Sequence, residues 1–158
     1  MIRLCRGDSF AVSSVKECCR RIFGCDLVPR RATFVPATLR ITYGERYVVQ
    51  FAHFDRDSPD GLWRNTLTGG GDTIVQRYLG SDEHVRAAFD ARPETHWRLV
   101  FCRNFGARGQ TVGFTFLGVF RYAGEMTEDG RYRGTRYERT ADTVALDTSA
   151  LSLPYKNV

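Results

Sequence analysis

At 158 residues, with 42% hydrophobic and 26% charged positions, the chain has the length and balance of one globular domain and lies outside the disordered and fibrous classes. Its formal net charge is +5, and Lys16 and Lys156 are the only lysines among 23 basic residues. The surplus is therefore arginine, whose planar fork suits phosphates and base edges and favours a nucleic-acid or nucleotide partner over a membrane.

An arginine bias also follows from a GC-rich genome, and these residues are spread along the chain, so only a fold could gather them into a patch. The five cysteines, Cys5, Cys18, Cys19, Cys25 and Cys102, contain no Cys-x-x-Cys pair, and His53, His84 and His96 are far apart. Free thiols in a reducing compartment are expected, with no metal and no cofactor. The longest apolar run, Val112 to Phe120, is too short for a bilayer, and no signal peptide is apparent. The expected setting is soluble and cytoplasmic.

In chain order, apolar residues recur at helical spacing from Ser13 to Phe23, with Ser13 or Ser14 as N-cap and Gly24 as terminator. Pro29 and Pro36 bracket a connector or edge segment. Leu39 to Tyr43 and Glu45 to Phe54 have strand composition, with Gly44 between them. Asp55 to Gly61 is a polar turn whose acids lack the spacing of a calcium loop.

Leu62 to Gly80 follows, and it is the most informative stretch. It holds Trp63-Arg64-Asn65, then Gly69-Gly70-Gly71, then a lone Asp72, between segments of ordinary strand composition. Three consecutive glycines bring no side chain to pack, so the backbone there either turns sharply or lies close to a ligand. Trp63, Arg64 and Asn65 can stack on or hydrogen-bond to a base and are equally at home in a half-buried strand.

Ser81 to Ala91 has the cap, the early acids and the apolar stripe of a second helix before Pro93. From His96 the pattern is almost wholly β: His96 to Arg103, Val112 to Tyr122, Tyr132 to Thr140 and Thr143 to Leu146. Phe114, Phe116, Leu117, Val119 and Phe120 are the expected core. The fold class expected is α+β, a strongly curved mixed sheet or partly open β-barrel of six to seven strands with two short helices. Residues 1–146 would form a single domain and 147–158 a loosely held tail.

The run Thr68-Gly69-Gly70-Gly71-Asp72, the later Phe114-Thr115-Phe116-Leu117-Gly118-Val119-Phe120, the Glu128-Asp129-Gly130 turn and the closing Arg136-Tyr137-Glu138-Arg139 together resemble SRA-type and related PUA-like domains over Leu62 to Leu146. The Tyr-Asp-Gly triplet and the Asn-Lys pair typical of SRA domains are absent. The resemblance implies a reader that extrudes a modified base and holds it between aromatic rings. Asp72 would match the reading carboxylate. Proximity and chemistry add Trp63 and Tyr78 for stacking, Arg64 and Asn65 as further ligand contacts, and Arg77 and Arg103 for phosphates.

The function expected is a non-catalytic nucleic-acid-binding module in a restriction or defence context, with DNA preferred over RNA. Two alternatives stand beside it: a small nucleotide-capturing or partner-inhibiting protein of phage or defence origin, and a metal-dependent nuclease using Asp55, Asp57 and Asp72. No nucleophile and base or paired carboxylates stand out, which weakens the enzyme reading. A homodimer or a larger multi-subunit assembly remains open.

Overall fold

The computed structural model describes residues 2–24, 33–35, 40–41, 47–58, 61–81, 97–147 and 156–157. The helix expected at Ser81 to Ala91, the proline-bracketed connector apart from its Thr33–Val35 strand, and most of the tail lie outside these residues.

One α-helix is described, α1 (Val15–Phe23), and its ends follow from local chemistry. The Ser14 hydroxyl accepts from the Glu17 amide at 3.2 Å, and the Glu17 carboxylate in turn accepts from the Ser13 amide and hydroxyl. Gly24 ends the helix at φ 70°, its amide donating to the Arg20 carbonyl. Cys18 and Cys19, adjacent on the helix, are both buried and join Ile22 and Phe23 in one core cluster. Burial pushes the Cys18 thiol up to about 12.

Among the described residues the strands form two sheets. The smaller is antiparallel and places β1 (Ile2–Cys5) beside β11 (Thr143–Asp147), which also pairs with β4 (Arg40–Ile41). The larger runs in the order β12 (Lys156–Asn157), β3 (Thr33–Val35), β5 (Tyr47–Ala52), β8 (Trp97–Phe105), β9 (Thr111–Glu128), β10 (Arg131–Ala141), β7 (Thr73–Tyr78), β6 (Trp63–Thr68). A short β2 (Ser9–Phe10) pairs with β9. Among the described strands the β5 and β8 pairing is the parallel one, so the sheet is mixed.

The six strands from β5 to β6 curl into a half-barrel, as the alternation of apolar residues on both faces requires. Its curvature has a local cause. Register shifts in β9 fall opposite Val100/Phe101 and Arg136/Tyr137, beside Gly118 and Gly124, whose φ angles are 123° and 122°. These bulges bend the long strand where a side chain would obstruct it: a Cβ on Gly118 would stand 2.8 Å from the Ala141 carbonyl oxygen. Bridges between Phe54 and Asn65, and between Asp57 and Arg64, then tie β6 back toward the segment after β5.

Two apolar layers result. The outer face of the sheet packs Phe51, Phe101, Phe114 and Phe116 against α1, β1 and β11, with the Phe51 and Phe101 rings stacked at 5.1 Å. The inner face holds a smaller cluster of Ile74, Val100, Phe120 and Tyr137, edged by Phe54, Leu67, Leu117 and Tyr122. Phe114, Phe116, Val119 and Phe120 are buried as their pattern predicts, while Leu117 is half-buried. Strands β1 and β2 were not anticipated, since four and two residues are too few for alternation to register.

Candidate nucleic-acid interface

Strands β6 and β7 form a hairpin closed by a 3-10 turn at Gly69–Gly71, where φ is 61°, 68° and 94° at successive glycines. That run of left-handed backbone is what the glycine triplet is for. Hairpin register decides the faces: Trp63 pairs with Tyr78, Asn65 with Gln76 and Leu67 with Ile74. Leu67 and Ile74 belong to the inner cluster, so by alternation Trp63, Asn65, Gln76 and Tyr78 also face inward. The Trp63 and Tyr78 rings meet at 4.9 Å and 54°, with Tyr132 completing the group.

The inner face is unusually polar for a sheet interior. Gln50, Arg98 and Thr135 are buried there. Arg98 donates to the Gln50 side-chain oxygen at 2.8 Å and lies 4.0 Å over the Tyr137 ring. The Tyr132 hydroxyl and the Thr135 hydroxyl are 2.5 Å apart, and burial pushes the Tyr132 phenol up to about 12. Asn65 stands apart from these satisfied groups. Its Oδ1 is buried and, among the described residues, has no hydrogen-bond partner, between Trp63 and Leu67 on its own strand and beside Phe54.

Asp72 lies elsewhere. It follows the glycine turn, six residues or roughly 20 Å along the chain from the Trp63 and Tyr78 pair, so the three do not share one hollow. Its carboxylate accepts from Arg139, whose other terminal nitrogen reaches Asp142 at 2.8 Å, and the Arg139 amide donates to the Asp72 carbonyl. These residues line a cleft of about 430 Å³ at the corner between β10 and β11. The acid fastens the hairpin tip to that corner, and the carboxylate side chain is 65% exposed.

The arginines are distributed by the same alternation. Arg64 and Arg77 are opposite each other on the outer face of the hairpin and are exposed. Arg64 binds the Asp57 carboxylate at 3.2 Å and the Asp55 carbonyl at 3.0 Å, holding the polar turn against β6. Arg103 sits at the far end of β8, 5.5 Å over the Phe114 ring on the outer face. The Trp63-Arg64-Asn65 triplet is thus divided, with two members inward and one outward.

Comparison with known proteins bears on this arrangement. The family of the SET and RING associated (SRA) domain matches residues 3–146, most of the chain. The chain belongs to the SRA family. The match extends past the stretch that carries the sequence resemblance and takes in β1 and α1, which supply Leu4, Cys18, Cys19, Ile22 and Phe23 to the outer core. Among solved structures the chain is similar to "The 5-Hydroxymethylcytosine-Specific Restriction Enzyme AbaSI", at a TM-score of 0.59 and 16% identity, over 91% of this chain and 42% of that one. The likeness is one of fold, and the chain spans less than half of that enzyme. No curated protein matches it in sequence.

Several inward residues of this SRA domain escaped sequence reasoning. Gln50, Phe54, Gln76, Arg98 and Tyr137 are scattered over four strands and one loop, and only the pairing brings them to one face. A signal existed for Gln76: it alternates with Ile74 and Tyr78, so a polar residue occupies an inward position of a strand otherwise apolar on that side.

Proposed function

We propose that this SRA domain is a DNA-binding module that takes an extruded, modified base onto the inner face of its curled sheet. The observation that carries the reading is the buried, unpartnered Oδ1 of Asn65. An orphaned acceptor costs about 1–3 kcal/mol, a cost that a ligand donor removes, and a side-chain amide can pair bidentately with a base edge. Gln76, its partner across the hairpin, is a second amide for the same edge. Trp63 and Tyr78 are the rings against which a base would stack, after opening from their mutual contact.

Reading thus moves from the expected carboxylate to an amide, and Asp72 is left with a scaffolding role. Modified cytosine in DNA is the favoured target, since the structural relative is described as specific for 5-hydroxymethylcytosine. A restriction or defence setting, with catalysis supplied by another domain or subunit, accords with the share of that enzyme the chain spans.

The test places 2-aminopurine, whose fluorescence rises on unstacking, at or beside the target position in duplexes carrying cytosine, 5-methylcytosine or 5-hydroxymethylcytosine. Enhanced fluorescence with one modified duplex, lost in Asn65→Ala, supports the reading. Equal binding to all three duplexes without any fluorescence change rejects it.

A further inference from the structure

Where β5 and β8 end, on the face opposite the inward amides, three nitrogen-rich side chains gather around two phenylalanine rings. The parallel register closes with Ala52 beside Cys102, which carries His53 next to Arg103. Arg56 lies 4.1 Å over the Phe105 ring, His53 meets the same ring edge-on at 5.9 Å, and Arg103 covers Phe114.

Among the described residues neither Arg56 nor Arg103 has an ion-pair partner, and the Nε of Arg103 is buried without a hydrogen bond, its Nη1 making only a 3.5 Å contact to the Thr111 hydroxyl. Of the nearby acids, Asp57 is held by Arg64, and Asp55 forms no ion pair with Arg56 or Arg103 among the described residues. Burial, Arg103 and Arg56 all lower the proton affinity of His53. The two arginines' share of that effect is a positive field, and the same field attracts an anion.

We propose that His53, Arg56 and Arg103 form a cradle for one phosphodiester of the bound DNA strand. Three features favour a strand phosphate over a small free anion. The donors come from two separate segments, the loop at 53–56 and the end of β8, and so span a ridge. The adjoining rings offer stacking to sugar or base. The loop is also tied to the amide-bearing strand, since the Asp55 amide donates to the Asn65 carbonyl at 2.9 Å. The cradle is thereby coupled through the backbone to the strand that bears the amide. The cradle rests on the DNA-binding reading and adds to it a sequence-independent grip.

The test is fluorescence anisotropy of the whole chain with a 5-hydroxymethylcytosine duplex and its unmodified counterpart across a salt series. Arg103→Ala and Arg56→Ala should weaken both duplexes by the same factor and make the slope of log K against log salt shallower by about 1 each, whereas Arg103→Lys keeps the slope. Arg56 is exposed, so its variant stays informative if Arg103→Ala fails to fold. Unchanged slopes in both alanine variants, with the parent chain still binding DNA, overturn the cradle and leave the base-reading proposal standing. Thermal stabilisation by inorganic phosphate with no duplex binding at any salt overturns both, and assigns the site to a free anion.

Discussion

Replacing Asn65 by leucine separates stability from recognition and so tests the inner face directly. Asn65 Oδ1 is buried without a partner between the side chains of Trp63 and Leu67. Leaving such an acceptor unpaired costs about 1–3 kcal/mol, and leucine of nearly the same size removes that cost while adding apolar contact with Phe54, Leu67 and Ile74. Both effects have the same sign. A gain of about 1 kcal/mol raises the unfolding midpoint of a domain this size by roughly 2–4 °C. The same change removes a bidentate base contact worth about 1–3 kcal/mol, so affinity for the preferred duplex should drop by about 5- to 150-fold. Differential scanning calorimetry and duplex binding read the two effects independently. A leucine variant that melts below the parent, or that binds the preferred duplex as tightly, refutes the assignment.

Asp72→Ala should leave discrimination between modified and plain cytosine intact and lower stability by about 1 kcal/mol, since the carboxylate is 65% exposed and Arg139 keeps its contact with Asp142; duplex binding and chemical denaturation measure both. Gly118→Ala should cost about 2 kcal/mol or more by urea unfolding, since it combines a φ of 123° with a 2.8 Å approach to the Ala141 carbonyl. His53 has a lower proton affinity folded than unfolded, so its protonation favours the unfolded chain. The stability this confers is complete above the ordinary value of 6.5 and is lost as pH falls through it. Melting temperatures recorded from pH 7.5 to 5.5 should therefore fall less in His53→Gln than in the parent chain.

Sequence patterns recorded local chemistry well and spatial gathering poorly. Ser14, Glu17 and Gly24 bracket α1 through contacts within a few residues, and the glycine triplet announces a sharp turn, so both were legible. The curled sheet was legible too, through the aromatic β9. The meeting of distant residues was not. Asp72 looked like a ligand because its partner, Arg139, lies 67 positions away. Asn65 looked no different from Arg64 until the turn at Gly69–Gly71 fixed the pairing and sent the two to opposite faces. Bulges at Gly118 and Gly124 shift register by a residue, which reverses inside and outside for the residues of β9 beyond each of them.

The first and last strands of the smaller sheet are zipped together, with Ile2 opposite Leu146 and Cys5 opposite Thr143. Anything spliced ahead of Ile2 or just behind Asp147 would consequently depart from one small patch of the surface. A nuclease grafted at one point and a fluorescent reporter at the other would crowd each other, so chimeras should carry a single cargo or a long flexible tether on one side. A circular permutant joining these two points needs only a short bridge and gives up the two-residue β12, with new termini opened in the exposed turn at residues 107–110.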